Sequence, residues 1–288
     1  MKITVIKPYG FCNGVVYAIN LAIKTRVSNP QTPIYVWGPL VHNHLVIEQL
    51  TRNNIITLDQ STPLKELLKP LDKGFLITSA HGVSEDISKK IKMLGFKHVD
   101  ATCPLIKKMH IQIKKELADN HEILFYGQKN HAECLAVLSI DSEHIHPIYD
   151  YQKSTKLLLK DKSPAYFAQT TMILNDSLNM YHSLKQDYDG LRFIAANCNA
   201  TSTIQNNLIT ALPTVDAVIV VGDKTSNNAE NLISIVKKHN KTAFFIETIK
   251  DLNIESVLKY EKVALVSAAS TPNDIFEDVI KTLSKFGD

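Results

Sequence analysis

Two rhythms of apolar and polar residues alternate along this 288-residue chain. Short apolar runs of strand length occur at IYVW (34–37), FLITSA (75–80), EILFYG (122–127), AYFAQ (165–169), AVIVVG (217–222), TAFFIE (242–247) and KVALVS (262–267). Between them, apolar residues recur at helical spacing. Val15, Ala18, Ile19, Ala22 and Ile23 mark one helix, and Leu105, Met109, Ile113 and Leu117 mark one face of another. Further helices are predicted from about Leu45, over 85–94, 176–187 and 200–211, up to Lys238, and at the end of the chain. Thr62-Pro63 reads as a helix start, with a capping residue ahead of a proline in the first turn. Strands that alternate with helices predict parallel sheets.

Three strands end alike. ITVIKPYGF runs into Cys12, the strand His98–Ala101 into Thr102-Cys103-Pro104, and RFIAAN into Cys198, so the cysteines stand 91 and 95 residues apart. A proline at the first helical position puts Cys103 at a strand-to-helix junction, where the positive end of the helix favours a thiolate. Counting on from each cysteine, a first polar loop falls at His42, His131 and Ser226, which are 30, 28 and 28 residues along. A second falls at His81, Thr170 and Ser270, 69, 67 and 72 residues along. A period this long exceeds that of solenoid repeats. It predicts three similar α/β lobes with mainly parallel sheets, over 14–103, 104–197 and 198–288, joined by 1–13. Length alone would have suggested about two domains.

Composition adds limits. The apolar fraction of 44% and charged fraction of 21% are those of a globular protein, and a net charge of +3 is too mild for a nucleic-acid binder. It suits small anions or an acidic partner. No apolar run approaches the length of a membrane span, so a cytoplasmic chain is expected. In a reducing compartment, four dispersed cysteines without a CxxC pair read as thiols or metal ligands.

Open parallel sheets bind ligands at the carboxyl ends of their strands, and every residue singled out above follows a strand. Lobes facing a common axis would bring three thiolates and a ring of histidines and hydroxyls to one cavity. Three cysteines can hold a zinc ion, with a fourth ligand or water, or an iron–sulfur cluster with one iron open to substrate. Cys134 lies outside the register and reads as a packing residue. His42, His81, His131, Thr170, Ser226, Asn228 and Ser270 all donate hydrogen bonds without carrying a fixed charge, as in an anion cradle at helix N-termini. Neither GxGxxG nor a Walker motif is present. Glu133 follows His131 closely, and in a closed cavity its carboxyl would be pushed up and could relay protons. Other histidines, His98 and His110 among them, read as surface or packing residues. The alternatives to a reductase are, first, a hydro-lyase or other non-redox enzyme using an open cluster iron on a phosphorylated substrate and, second, a zinc-stabilised phosphate-binding protein.

The motifs GFCNGV at Cys12, VHN at His42, SAHGV at His81, DATCPL at Cys103, HAE at His131–Glu133, QTT at Thr170, AT after Cys198, VVGDKTSNN, and Ser270-Thr271-Pro272 carry a resemblance over essentially the whole chain. The chain resembles the 4-hydroxy-3-methylbut-2-enyl diphosphate reductases, the LytB-type iron–sulfur enzymes that end the methylerythritol phosphate route to isoprenoids. The resemblance implies a trefoil of three lobes around a central cavity and a [4Fe–4S] cluster on Cys12, Cys103 and Cys198. It implies that an allylic diphosphate binds with its hydroxyl on the open iron and loses that hydroxyl as water, giving isopentenyl and dimethylallyl diphosphates. His42, His81, His131, Thr170, Ser226, Asn227, Asn228 and Ser270 would hold the substrate, and Glu133, Thr170 and His131 would serve catalysis. A ferredoxin- or flavodoxin-type donor and a monomeric state are expected. Asn199, Ile204, Asp223, Asn227 and Ala269 depart from the usual pattern; Asn227 replaces a serine but keeps a donor.

Overall fold

The computed structural model describes residues 1–150, 159–195 and 198–287, with the side chain of residue 195 outside the description. The last two residues of RFIAAN therefore lie outside the described residues. The chain divides into two compact units, one of Met1–Val16, His42–Val46 and Cys198–Asp288, the other of Tyr17–Val41 and Ile47–Asn197.

The second unit carries two sheets. The strands β2 (Ile34–Trp37), β3 (Ile56–Leu58), β4 (Phe75–Thr78) and β5 (Lys97–Asp100) line up in the order β3-β2-β4-β5. The strands β6 (Ile123–Tyr126), β7 (Ile145–Ile148), β8 (Ala165–Ala168) and β9 (Arg192–Ala195) line up as β7-β6-β8-β9. The first unit carries one sheet, in which β1 (Lys2–Val5), β10 (Ala217–Val221), β11 (Thr242–Ile246) and β12 (Lys262–Ser267) take the order β1-β12-β10-β11. All nine pairings are parallel. Read from the opposite edge, the third order repeats the plan of the other two, except that its fourth strand is β1, from the far end of the chain. The three similar parallel α/β lobes expected from the cysteine register are present.

The connections are helical: α1 (Asn13–Ser28), α2 (His44–Arg52), α3 (Leu64–Leu68), α4 (Glu85–Met93), α5 (Pro104–Ala118), α6 (Ala132–Leu138), α7 (Leu174–Asp187), α8 (Asn199–Ala211), α9 (Asn227–Lys238), α10 (Ile254–Val257) and α11 (Asn273–Leu283). Central strands β6, β8 and β10 are buried along their whole length, which is why they read as unbroken apolar runs. In the second unit, Ile106, Met109 and Ile113 of α5 pack with Phe125, Cys134, Val137 and Phe167. In the first unit, Phe276, Val279 and Leu283 of α11 pack with Ile219, Val221, Val263 and Leu265. Each such fully buried side chain contributes about 1.5–3 kcal/mol.

Three local expectations shift. Leu105 is 48% exposed, and Ile106 instead begins the buried stripe of α5. The cap of α3 is Pro63 itself, without a side-chain cap bond, so Thr62 stands one residue outside the helix. β3 and β7 are additional edge strands. β3 has three residues, and β7 contains Pro147, which an edge strand tolerates because only one side of it must supply ladder bonds.

Candidate active site

Each registered cysteine stands directly ahead of a helix. Cys12 precedes α1, Cys103 caps α5 with Pro104 in its first turn, and Cys198 caps α8. Each also follows the same edge strand of its sheet: β1, β5 or β9. The Cys12 loop is tied to the end of β12 and to α11. Gly10 N donates to Ser267 Oγ at 2.8 Å, Phe11 N to Asn273 Oδ1 at 3.1 Å, and Cys12 N to Ala269 O at 2.9 Å. Gly10 has φ +80°, and a Cβ there would lie 2.1 Å from Asn273 Oδ1, so the loop admits only glycine. Cys103 N donates to Ala80 O at 2.9 Å, while Cys198 O accepts from Ser202 N and Ser202 Oγ, both at 2.9 Å. All three cysteines are partly exposed, whereas Cys134 is fully buried with its thiol pushed up to about 11 by burial and by neighbouring Glu133. None of the four forms a disulfide.

The polar loops obey the same correspondence. His42, His131 and Ser226 follow β2, β6 and β10, and His81, Thr170 and Ser270 follow β4, β8 and β12. In the first unit, Ser226 caps α9 and accepts from Ala229 N at 3.4 Å. Ser270 Oγ lies 3.3 Å from both Ser226 Oγ and His42 O, and Asn43 Nδ2 donates to Ser270 O at 2.9 Å. Asn228, in the first turn of α9, is 5% exposed, and neither its Oδ1 nor its Nδ2 has a hydrogen-bond partner. A buried carboxamide left so costs about 1–3 kcal/mol. Asn227 is partly exposed at the first position of the same helix.

Asp223, three residues before Ser226, is 4% exposed. Its Oδ1 accepts from Thr225 N at 2.8 Å and Thr225 Oγ1 at 2.6 Å, and its Oδ2 from His44 N and His44 Nδ1, both at 2.8 Å. Burial opposes its ionisation, but these bonds together outweigh burial and hold the carboxyl down at about 2. His42 is pushed down by burial and pulled partly back by Asp223. Glu247 Oε2 stands 3.9 Å from His44 Nδ1, so His44, Asp223 and Glu247 are one set of side chains that could hold a metal ion.

In the second unit, the rings of His81 and His131 meet edge to face at 5.4 Å. His131 caps α6, its Nδ1 accepting from Glu133 N at 3.1 Å, which leaves the proton of the neutral ring on Nε2. Glu133 is wholly buried; Oε1 accepts from Thr170 N at 2.7 Å and Oε2 from Thr170 Oγ1 at 2.8 Å. Burial dominates over these two bonds and pushes its carboxyl up to about 7. His110, on α5, is pushed down to about 4 by burial and then by Lys114; its Nε2 is buried with no partner, and its ring faces the backbone of Gly82. Nothing in the local sequence marked His110 or the His44–Asp223 pair, because each acquires its setting from a segment distant along the chain.

A model of the family described as LytB protein matches residues 3–284. The chain belongs to the LytB family. Among LytB relatives, the 4-hydroxy-3-methylbut-2-enyl diphosphate reductases of Geobacillus sp. (strain WCH70) and Bacillus mycoides (strain KBAB4) are 33% and 31% identical to it, each over 99% of this chain and 91% of their own. The solved E-1-hydroxy-2-methyl-but-2-enyl-4-diphosphate reductase of Plasmodium falciparum superposes with a TM-score of 0.89 at 30% identity, covering 98% of this chain and 88% of that one. A second solved structure, titled as (E)-4-hydroxy-3-methyl-but-2-enyl diphosphate reductase, the terminal enzyme of the non-mevalonate pathway, gives 0.69 at 26% identity with 99% of both chains covered. Ile204 is 3% exposed in the core and Asn199 is exposed. No helix among the described residues is long and apolar enough to cross a membrane.

Proposed function

We propose that this chain reduces 4-hydroxy-3-methylbut-2-enyl diphosphate to isopentenyl and dimethylallyl diphosphates, with Cys12, Cys103 and Cys198 holding a [4Fe–4S] cluster. The observation that carries this reading is the equivalence of the three cysteines, each between the same edge strand and the start of a helix. The donor set fits the group: three partly exposed cysteines at helix N-termini offer the sulfur ligands that iron–sulfur clusters take. Cys134, apolar in its surroundings and with a raised thiol, does not fit. When bound, such a cluster supplies electrons and one iron with an open position, chemistry that no side chain offers.

The remaining work falls to the chain's own residues. His42, His81, Thr170, Ser226, Asn227, Asn228 and Ser270 offer neutral donors to the diphosphate, each charge-assisted bond contributing about 1.5–3 kcal/mol. Asn228, otherwise unpaired, gains its missing partners only on binding. Breaking the allylic C–O bond consumes two electrons and two protons and releases water. Glu133, poised near neutrality and gripped by Thr170, delivers a proton, and His131 offers its Nε2–H to the same pocket. Each of the stretches 14–103, 104–197 and 198–288 thus contributes two polar loops, with residues 1–13 bringing Cys12. The electrons come from a ferredoxin- or flavodoxin-type donor, whose acidity suits a chain of net charge +3.

Purification without air, followed by iron and acid-labile sulfide analysis, tests the reading. A brown protein that converts the substrate with dithionite and a viologen mediator is expected. A colourless zinc protein, or a brown one that dehydrates its substrate without consuming reductant, would refute it.

A further inference from the structure

The segment that joins β2 to α2 belongs to the first unit for five residues only, His42–Val46. Contacts that attach it there include Asn43 Nδ2 to Ser270 O, the close approach of Ser270 Oγ to His42 O, and the paired bonds of His44 N and Nδ1 to Asp223 Oδ2. The last is the strongest, since its acceptor is an ionised carboxylate. The other oxygen of the same carboxylate is fixed by Thr225, so Asp223 holds two loops against each other: the one carrying His42 and the one carrying Ser226 and Asn228. Four donors fill its acceptor sites, leaving no lone pair directed at a ligand.

We propose that Asp223 is a positioning residue for the diphosphate cradle and acts through His44. It sets the spacing of His42 from Ser226 and Asn228 and does not touch the substrate. The placement of a buried negative charge beside an anion site is tolerated because two N–H donors and a hydroxyl from the loops, together with the imidazole of His44, spread that charge over four hydrogen bonds. The proposal rests on the diphosphate reading given above.

The test measures inorganic pyrophosphate affinity by calorimetry on the anaerobically purified holoenzyme, and KM and kcat for the hydroxy diphosphate, in D223N, H44A and the double variant. D223N keeps the shape of the side chain but can no longer accept at both oxygens. H44A alters a half-exposed side chain, which guards against a fold defect at the buried site. Each single variant is expected to weaken pyrophosphate binding and raise KM by about tenfold, with kcat within twofold and bound iron unchanged. The double variant should bind no more weakly than D223N alone, because D223N already weakens the acceptor of the His44 ring that H44A removes, while the His44 backbone bond is common to both. Unchanged KM in both single variants, or fully additive losses, would overturn the clamp. So would a wild-type pyrophosphate affinity that collapses on adding a chelator of divalent cations, which would make His44, Asp223 and Glu247 a metal site instead. Were the holoenzyme to bind pyrophosphate but leave the hydroxy diphosphate unreacted, the reductase reading would fail while the pyrophosphate measurements still judged the clamp.

Discussion

Thr170 grips Glu133 by both carboxyl oxygens, its N–H on Oε1 at 2.7 Å and its hydroxyl on Oε2 at 2.8 Å. The two bonds favour the ionised carboxylate and burial favours the neutral acid, with burial the larger influence. The outcome, about 7, lets one group hold or give a proton at neutral pH. Glu133→Gln should therefore keep iron content and pyrophosphate binding while turnover falls by about 10²-fold or more. With the acid form of Glu133 as the donor we propose, wild-type kcat should decline as pH rises above about 7, and this basic limb should be absent from the residual activity of the variant. A pH–rate profile of both proteins checks it.

Thr170→Val keeps the β-branched shape and the backbone bond but removes the hydroxyl. One of the two influences that lower the Glu133 carboxyl is then lost, so the basic limb should move to higher pH. A limb that stays in place would detach Thr170 Oγ1 from the titration.

Gly10→Ala should damage the Cys12 loop without touching any cysteine. The new methyl would collide with the Asn273 side chain, which itself accepts from Phe11 N, and the backbone is in the left-handed region. Bound iron per chain, measured after anaerobic purification, should drop well below wild type, while circular dichroism shows the sheets intact.

Asn228→Leu separates stability from binding. Removing an unpaired buried carboxamide should stabilise the ligand-free protein by about 1 kcal/mol or more. The same change should abolish the rise in melting temperature that pyrophosphate gives the wild type. Thermal melts with and without pyrophosphate read both effects, and a variant less stable than wild type would show that Asn228 is satisfied in the free protein.

His110→Leu makes an acid-side prediction. The folded protein holds His110 down at about 4 against an ordinary value near 6.5, so the unfolded chain binds the proton first as pH falls. Wild-type stability from this group is thus complete above 6.5 and drains away towards pH 4, by about 3 kcal/mol in the limit. Denaturant melts should show the variant's advantage over wild type widening between pH 7 and pH 4.5.

Much of this was legible in the sequence because the repeat is written in chemistry as well as in hydrophobicity. Cys103 could be assigned a helix start from Pro104 alone, and Cys12 and Cys198 inherited it by register. His131 and Ser226 proved to be true helix caps, as polar residues after strands tend to be. What escaped was set by distant partners. Asp223 and His44 are 179 residues apart, and a departure from a family pattern does not say what the new residue touches. His110 looked like a packing residue because orphaning of Nε2 depends on what surrounds it. β7 was hidden by Pro147, which signals a break unless the strand is known to lie at an edge. The exposure of Leu105 shows the limit of a four-residue spacing: it fixes a stripe but not which of two neighbours begins it.

The pairing of β1 with β12 also bears on synthesis. Residues 2–5 leave the ribosome long before residues 262–267, the neighbour that completes their sheet. The two sheets of the second unit can close from local chain during translation, but the loop bearing Cys12 gains its anchors at Ser267, Ala269 and Asn273 only once those residues have been made. Assembly of any inorganic centre that requires an anchored Cys12 is thereby deferred until residues 267–273 have been made.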